Sequence, residues 1–373
     1  MTSTAVVNDG WQARASALAA ELAASGDLHD PAWAAAIAAV PRHLLVPTAY
    51  QQQSDGSWTE VDTAEIAYTA TTLVTDLEHN RAVSSSTKPD LMVRMLEALD
   101  ISDGHRVLEI GTGTGYNAAL LAHRLGSPNV FSIDMDPHLI ELSRQRLATA
   151  GFQPSVAARD GIHGWSEHAL YDRIIATCSV PRIPASWVRQ LVLGGKLIAD
   201  VKFNTGAGNL AVLQRFDDRL EGHFTDRWAA FMEMRHHDDA AEPARAARAE
   251  TDRTRMTSAP AEPWRTCREM WMMACLDLPR GLRTGYILDP DTRLPRSASL
   301  SAPDGSWCEI DLSADDSGDR QLREGGPTPL WDHVERARNS WSRWDEPSWS
   351  RFGLTADADT SVVWLDEPGN VVS

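Results

Sequence analysis

A glycine-rich turn directly after an apolar stretch is the segment of this sequence best suited to bind a ligand. It reads Val107-Leu-Glu-Ile-Gly-Thr-Gly-Thr-Gly-Tyr116. Glycine lets the backbone approach a ligand closely, and a helix that begins after the turn directs free N–H groups at it. The pattern therefore predicts a cofactor site. The cofactor contacts predicted within it are Glu109, Gly111, Thr112, Gly113, Gly115 and Tyr116.

Carboxylates at the ends of the next two apolar stretches indicate what kind of cofactor the turn binds. Asp134 follows about twenty residues after the turn, where a carboxylate can accept hydrogen bonds from the hydroxyls of a ribose. The neighbouring Met135 belongs to the same predicted set of contacts. Asp160 and Gly161 follow the third stretch, where the amino group of an adenine can be recognised. Each residue alone is also typical of an ordinary turn, but the succession favours a nucleoside-containing cofactor.

The spacing of the glycines separates three classes of nucleoside ligand. A P-loop is excluded because no Gly-Lys-Ser/Thr follows the turn. The dinucleotide fingerprint GxGxxG is not matched either, because the third glycine comes one residue early. A nicotinamide cofactor and S-adenosylmethionine both contain a ribose and an adenine, so the carboxylates do not distinguish them. The missing pyrophosphate loop favours S-adenosylmethionine and leaves a nicotinamide cofactor as the alternative.

The elements that must position these residues alternate between strand and helix patterns. Runs of aliphatic residues predict strands, and the segments between them have apolar residues at helical spacing. Such alternation predicts an α/β fold with a doubly wound, Rossmann-like sheet. The segment 51–81 mixes polar, β-branched and aromatic residues and predicts short strands. The predicted strands of the core cover residues 106–110, 129–133, 155–158, 171–177, 195–199 and 210–214, and the predicted helices cover residues 11–24, 31–40, 89–99, 117–125, 137–150 and 185–191.

The length of 373 residues predicts more than one domain, since domains commonly have about 100–200 residues. We expect an N-terminal helical, substrate-facing segment over residues 1–90 and a methyltransferase-type core over 91–235. A stretch rich in Ala, Arg, Asp and Glu predicts a linker over 236–263, followed by an accessory α+β module over 264–373 that holds most of the 14 tryptophans. In this module we predict a strand or short helix at 270–276, strands at 297–301, 306–310 and 361–364, and a helix at 329–344.

Charge and composition exclude several classes of partner. A net charge of −17 repels phosphate backbones, so we expect no nucleic-acid partner. The four cysteines have no spacing typical of a zinc site, and we expect no metal. The N-terminal residues lack the pattern of a signal peptide, and no run of about 18 apolar residues is present. We therefore expect a cytoplasmic protein without a membrane partner.

Five segments recur in an order that is typical of one enzyme family. They are Pro41-Arg-His-Leu-Leu-Val-Pro47, Thr87-Lys-Pro89, the glycine turn, Asp160-Gly161 and Leu193-Gly-Gly195. Together they resemble the protein L-isoaspartyl O-methyltransferase family, over about residues 30–215. The resemblance implies a class I S-adenosylmethionine-dependent methyltransferase fold and transfer of a methyl group to a carboxylate of a peptide substrate.

The resemblance also implies which residues hold the substrate. In that family a serine two residues before a proline lies at the substrate carboxylate, and Thr87 occupies this position. Ser85 matches a family threonine, and Ser86 replaces an apolar residue between them. Hydroxyl groups suit the task because they hold a carboxylate without neutralising it. We therefore predict Thr87, Ser86 and Ser85 as the catalytic residues, with capping of the helix near Pro89 as the alternative role.

Three departures from the family pattern bear on the substrate. A long segment precedes the hydroxyl run, the run itself is more polar, and a Trp-rich region follows the core. These features resemble the family branch associated with ATP-grasp (graspetide) and lanthipeptide maturation. That branch implies methylation of an Asp in a ribosomally made, macrocyclised peptide, leading to a succinimide (aspartimide) and onward to isoaspartate. The alternatives are repair of isoaspartate in damaged proteins, and a non-catalytic protein that binds the cofactor and a peptide.

Overall fold

The computed structural model describes residues 10–236, 245–250 and 253–372. The first part of the described chain contains helices and a small antiparallel sheet. Helix α2 begins where expected, because Asp30 accepts a hydrogen bond of 2.8 Å from the Ala32 N–H and Pro31 occupies the first turn. The helices are α1 (Trp11–Ala24), α2 (Pro31–Ala39), α3 (Arg42–Leu45), α4 (Thr63–Ile66) and α5 (Pro89–Ala98), and the strands are β1 (Ala49–Gln52), β2 (Trp58–Val61), β3 (Leu73–Glu78) and β4 (Arg81–Ser86).

The small sheet has the strand order β2-β1-β3-β4 and carries the hydroxyl run. Its strands confirm the prediction of short strands in residues 51–81. β3 and β4 pair in antiparallel fashion, with Leu73 opposite Ser86 and Val74 opposite Ser85. Because side chains alternate along a strand, Ser84 and Ser86 point to one face of β4 and Ser85 to the other. This alternation separates three hydroxyls that are adjacent in the sequence.

The central part of the chain alternates strands and helices, as predicted. All six predicted strands and the helices between them are present, with ends that differ by a few residues. The elements are β5 (Val107–Ile110), α6 (Tyr116–Leu125), β6 (Val130–Asp134), α7 (Pro137–Thr149), β7 (Ser155–Ala158), β8 (Tyr171–Val180), α8 (Ala185–Gln190), β9 (Leu191–Asn204), β10 (Ala207–Phe216) and β11 (Arg219–Phe224).

The C-terminal part adds a five-stranded antiparallel sheet, three helices and two further strands. The segment 270–276, predicted as a strand or short helix, lies in a helix, and the strands and helix predicted after it are confirmed. The elements are β12 (Arg253–Thr257), α9 (Pro263–Thr266), α10 (Arg268–Asp277), β13 (Arg283–Leu288), β14 (Pro295–Ser301), β15 (Trp307–Asp311), β16 (Arg320–Gly325), α11 (Leu330–Arg343), β17 (Phe352–Ala356) and β18 (Ser361–Leu365).

The central sheet has nine strands in the order β18-β17-β11-β10-β9-β8-β5-β6-β7. β9, β8, β5, β6 and β7 are parallel, and the chain moves outward from β5 in one direction before β8 returns to its other side. This reversal is the switch point at which doubly wound sheets bind ligands, beyond the carboxyl ends of the strands. The doubly wound class I methyltransferase fold predicted from the sequence is confirmed.

The C-terminal part is continuous with the central sheet. β17 pairs with β11, with Leu220 opposite Ala356, and helix α10 packs against β9 and β10. Buried side chains of both parts, such as Leu213 and Trp271, belong to one hydrophobic core. The accessory module therefore shares its core with the methyltransferase sheet.

The segment predicted as a linker contains strand β12. Residues 237–244 and 251–252 of that segment lie outside the described residues. The strand was missed because Arg253-Thr-Arg-Met-Thr257 lacks apolar alternation. Its arginines instead pair with acids, since Arg255 Nε lies 2.8 Å from Glu324 on β16 and its Nη1 lies 2.6 Å from Glu335 on α11.

No helix in the described ranges is long and apolar enough to cross a membrane.

Candidate active site

The glycine turn follows β5 and begins helix α6 at Tyr116. Gly111, Gly113 and Gly115 all have positive φ angles, of 99°, 49° and 85°, which residues with a side chain rarely adopt. A Cβ atom on Gly111 would lie 2.6 Å from the Thr177 Oγ1. The backbone of the turn can therefore approach a ligand closely only because these residues are glycines.

A cleft of about 840 Å³ opens at the turn, beyond the carboxyl ends of β5, β6 and β8. Gly115 does not line the cleft, because it lies at the start of α6 and faces Leu147 of α7, which makes it a packing residue. The predicted residues that do line the cleft are Ser85, Ser86, Thr87, Glu109, Gly111, Thr112, Gly113, Tyr116, Asp134, Met135 and Gly161.

Glu109 is buried beneath the turn. Its carboxylate accepts hydrogen bonds of 2.7 Å from Asn117 and 2.5 Å from Ser132, and the Ser132 hydroxyl lies 2.6 Å from the hydroxyl of Thr112. Burial raises the pKa of Glu109 to about 7, although both hydrogen bonds lower it. The network connects β5, β6 and α6, so Glu109 holds the turn in place as well as lining the cleft.

Asp134 ends β6 and presents its carboxylate to the cleft. One oxygen accepts a hydrogen bond of 2.9 Å from the Gly113 N–H, and the other accepts one of 3.3 Å from the Asp136 N–H. Burial raises the pKa of Asp134, and these two hydrogen bonds oppose the increase. Each carboxylate oxygen has further lone pairs, so the group can still accept hydrogen bonds from the two hydroxyls of a ribose.

Gly161 lines the cleft, whereas the neighbouring Asp160 is not among the lining residues. The Asp160 carboxylate accepts a hydrogen bond of 3.0 Å from the Ile162 N–H and lies 3.1 Å from His236 Nδ1. Burial raises the pKa of Asp160, but these two partners outweigh it and lower the pKa below its usual value. Asp160 therefore caps the short helical turn that follows it. At Gly161 a Cβ atom would lie 2.7 Å from the Sδ of Met234, so the close packing there requires glycine.

The sequence did not indicate one wall of the cleft, which comes from the segment after β11. Met232, Glu233 and Met234 line the cleft because the segment runs beside Ser179 of β8. The Ser179 N–H donates to the Met232 carbonyl, and the Met234 N–H donates to the Ser179 carbonyl, both at 2.8 Å. This pairing joins positions more than fifty residues apart in the numbering, and no local sequence pattern signals it.

Cys178 also lines the cleft, and burial raises the pKa of its thiol, which disfavours a reactive thiolate.

The three predicted catalytic hydroxyls have different surroundings. Ser86 is buried, and its hydroxyl accepts a hydrogen bond of 3.1 Å from the Arg42 guanidinium. Ser85 and Thr87 are partly exposed and line the cleft. The alternative role of Thr87 as a helix cap is not observed, because the residue before the first turn of α5 is Lys88 and no side chain caps that helix.

A second cavity of about 890 Å³, which we call the acceptor cavity, lies beside the cofactor cleft. Both charged side chains among its described lining residues are cations, Lys88 and Arg94, although the chain carries a net charge of −17. Lys88 lies 2.7 Å from Asp90 and Arg94 lies 3.7 Å from Asp27. The residues that line both the cofactor cleft and the acceptor cavity are Ser85, Thr87, Thr177 and Met232.

Comparison with known proteins agrees with this geometry. Residues 13–230 match the family model described as protein-L-isoaspartate(D-aspartate) O-methyltransferase. Protein-L-isoaspartate O-methyltransferase 2 of Pelobacter propionicus is 35% identical over 189 residues, which cover 50% of this chain and 75% of the relative. Protein-L-isoaspartate O-methyltransferase of Gloeobacter violaceus is 35% identical over 182 residues, which cover 48% of this chain and 79% of the relative.

A solved structure extends the similarity of fold beyond these sequence matches. A protein titled protein-L-isoaspartate O-methyltransferase superimposes with a TM-score of 0.57 at 21% identity, covering 94% of this chain and 99% of its own. The similarity in fold therefore includes the C-terminal part. Because the family model matches more than half of the sequence, the chain belongs to the protein-L-isoaspartate(D-aspartate) O-methyltransferase family, and it is a carboxyl methyltransferase that uses S-adenosylmethionine.

Proposed function

We propose that this protein methylates the free carboxylate of L-isoaspartyl residues in proteins and peptides, as a repair enzyme does. In an isoaspartyl residue the main chain passes through the side-chain carboxyl, which leaves the α-carboxylate free as the methyl acceptor. The observation that carries the proposal is that Ser85 and Thr87 line both the cofactor cleft and the acceptor cavity. A carboxylate of the acceptor held there would lie where the acceptor cavity meets the cofactor cleft.

The cleft fits S-adenosylmethionine, which supplies an activated methyl group on a cationic sulfur. Asp134 would accept hydrogen bonds from the ribose hydroxyls, and Gly111 and Gly113 would let the backbone approach the cofactor. Gly161 and Met135 would border the adenine, since they lie beyond β7 and β6. The remaining lone pairs of the Asp134 carboxylate at the cleft support this assignment.

The hydroxyls of Ser85 and Thr87 would position the acceptor. A carboxylate is ionised and nucleophilic at pH 7, so the reaction requires alignment more than proton transfer. Hydroxyl donors hold a carboxylate oxygen without removing its charge. Lys88 and Arg94 also line this cavity, where Asp90 neutralises the charge of Lys88 and Asp27 that of Arg94.

The macrocyclised-peptide substrate inferred from the family branch has less support than isoaspartyl repair. That inference depended on the Trp-rich C-terminal region as a departure from the family. A solved protein whose title is protein-L-isoaspartate O-methyltransferase matches 94% of this chain in fold. The additional strands are thus compatible with an isoaspartyl acceptor, and the relatives that match the core carry the same name.

A methyl-transfer assay on three peptides tests the proposal. The peptides are an isoaspartyl peptide, the same sequence with ordinary Asp, and a side-chain-cyclised peptide that contains Asp. We expect S-adenosylmethionine-dependent addition of one methyl group, seen by mass spectrometry, on the isoaspartyl peptide alone. Methylation of the cyclised Asp peptide alone would contradict the proposal and favour peptide maturation. The Thr87→Ala variant is the control for transfer at this site.

A further inference from the structure

The indole ring of Trp228 forms part of the wall of the acceptor cavity. Its side chain is 38% exposed, although tryptophan is usually largely buried. It lines the cavity together with Ser85 and Thr87, so it borders the space where the acceptor would bind. Neighbouring apolar residues Phe231 and Met232 extend this wall. An exposed aromatic ring in such a position is available to pack against a substrate side chain.

Two cations hold the ring in place before any substrate binds. Lys202 Nζ lies 5.0 Å and Arg268 Cζ lies 4.0 Å from the centre of the Trp228 ring, which are cation–π distances. Lys202 is itself fixed, because its ammonium donates hydrogen bonds of 2.7 Å to the Gly208 carbonyl and 2.8 Å to the Ala229 carbonyl. A ring that is already oriented loses little conformational entropy when a substrate packs against it.

Arg268 connects this wall to the C-terminal part of the protein. It is the first residue of α10, and the following residues Met270 and Trp271 are buried in the shared core. Helix α10 is thereby anchored, and its first side chain reaches Trp228. Through Arg268, the C-terminal part contacts the wall of the acceptor cavity.

We infer that Trp228 determines which isoaspartyl sites are methylated, by packing against an apolar or aromatic side chain next to the isoaspartate, and that Arg268 is its positioning residue. The inference rests on the proposed function. A basic neighbour is disfavoured, because the Arg268 guanidinium already lies against the ring. An apolar neighbour removes further surface of the indole from water.

Isoaspartyl peptides that differ only beside the isoaspartate test the role of Trp228. The neighbour is Leu, Phe, Gly or Lys, placed on each side in turn, and kcat and KM are measured for each. We expect the wild type to prefer Leu and Phe over Gly and Lys. Trp228→Ala should lower kcat/KM about tenfold for the Leu and Phe peptides, mainly through KM, with a much smaller change for Gly. Trp228→Phe should recover part of the preference.

Arg268 variants test the positioning role, with a matched pair elsewhere as control. Arg268→Met should weaken the preference for Leu and Phe, and Arg268→Lys should restore part of it. Phe216 is similarly exposed, at 43%, lies 5.9 Å from Arg219 Cζ and does not line the acceptor cavity. Phe216→Ala should leave the preference unchanged. Cofactor affinity and thermal unfolding, measured for every variant, verify that the fold is retained.

The outcomes separate this inference from the proposed function. Equal loss with Leu, Phe, Gly and Lys neighbours in Trp228→Ala, or no loss with any of them, would overturn the inference while the proposed function stands. Loss of preference in Phe216→Ala would assign the effect to general instability and overturn it as well. If the wild type methylates none of the isoaspartyl peptides, the proposed function fails and the inference fails with it.

Discussion

The Arg42 guanidinium donates a hydrogen bond of 3.1 Å to the hydroxyl of Ser86, and both side chains are buried. The same guanidinium donates to the Thr87 carbonyl at 3.2 Å, so Arg42 fixes the backbone of the hydroxyl run. Of the three predicted catalytic hydroxyls, the one on Ser86 therefore has a structural hydrogen bond with a buried side chain. This arrangement distinguishes residues that look equivalent in the sequence.

Replacing Ser86 should reduce stability more than turnover. Ser86→Ala leaves a buried Arg42 N–H without that acceptor, which should lower the free energy of unfolding by about 1–3 kcal/mol. Urea unfolding measures this change. Ser85→Ala is the matched control, because Ser85 lies on the other face of β4 and lines the cleft. Equal stability of the two variants would contradict the assigned role of Ser86.

Replacing Thr87 should reduce turnover more than stability. Thr87→Ala removes a hydroxyl donor from the junction of the two cavities, and we expect turnover to fall by about tenfold or more. Cofactor affinity and stability should be nearly unchanged, because helix α5 has no side-chain cap at this end. Thr87→Ser keeps the hydroxyl and should retain activity. Calorimetry with the cofactor, alongside turnover, would reveal an unexpected loss of binding and assign Thr87 to the cofactor site.

Asp134 should contribute mainly to cofactor affinity. Asp134→Ala removes the predicted acceptor for the ribose hydroxyls, and binding of S-adenosylmethionine should weaken by about 1–3 kcal/mol. The variant also removes the acceptors of the Gly113 and Asp136 N–H groups, so unfolding must be measured in parallel. Calorimetry that gives wild-type affinity in a folded variant would remove Asp134 from the site.

Glu109 should make stability depend on pH. Burial raises its pKa from 4.5 to about 7, so the folded state holds this proton more tightly than the unfolded chain does. The stabilisation from this group is complete below about pH 4.5 and is lost as the pH rises through about 7. Relative to Glu109→Gln, the wild type should lose on the order of 3 kcal/mol over this range. Parallel pH profiles of the two proteins would refute the shifted pKa.

Removing the C-terminal part should prevent independent folding of the remainder. A chain that ends at residue 236 exposes the edge of β11, where β17 pairs with Gly222 and His223. It also uncovers the surface of β9 and β10 that α10 covers. We expect an aggregated product without a cooperative unfolding transition. A soluble truncated chain that binds the cofactor would instead support the separate accessory module predicted from composition.

The sequence alone was sufficient to predict the central α/β core, and eight of the ten predicted cofactor contacts line the cleft. Local signals carry this information, because aliphatic runs form buried parallel strands and the glycines allow a turn that other residues cannot adopt. The strands β11, β12, β13, β16 and β17 were not predicted. Their side chains are polar or mixed in character, and they are held by partners far along the chain, such as the acids that surround Arg255.

Local sequence patterns determined the doubly wound class, and the spacing of the glycines favoured S-adenosylmethionine, whereas the role of the hydroxyl run came from the family resemblance. Three contacts were decided only by the tertiary structure. The Ser86 hydroxyl accepts a hydrogen bond from Arg42, the Asp160 carboxylate lies beside His236, and Trp228 lines the acceptor cavity. The physical reason is that strand and turn formation depend on neighbouring residues, whereas the direction of a side chain and its partner depend on how distant segments pack.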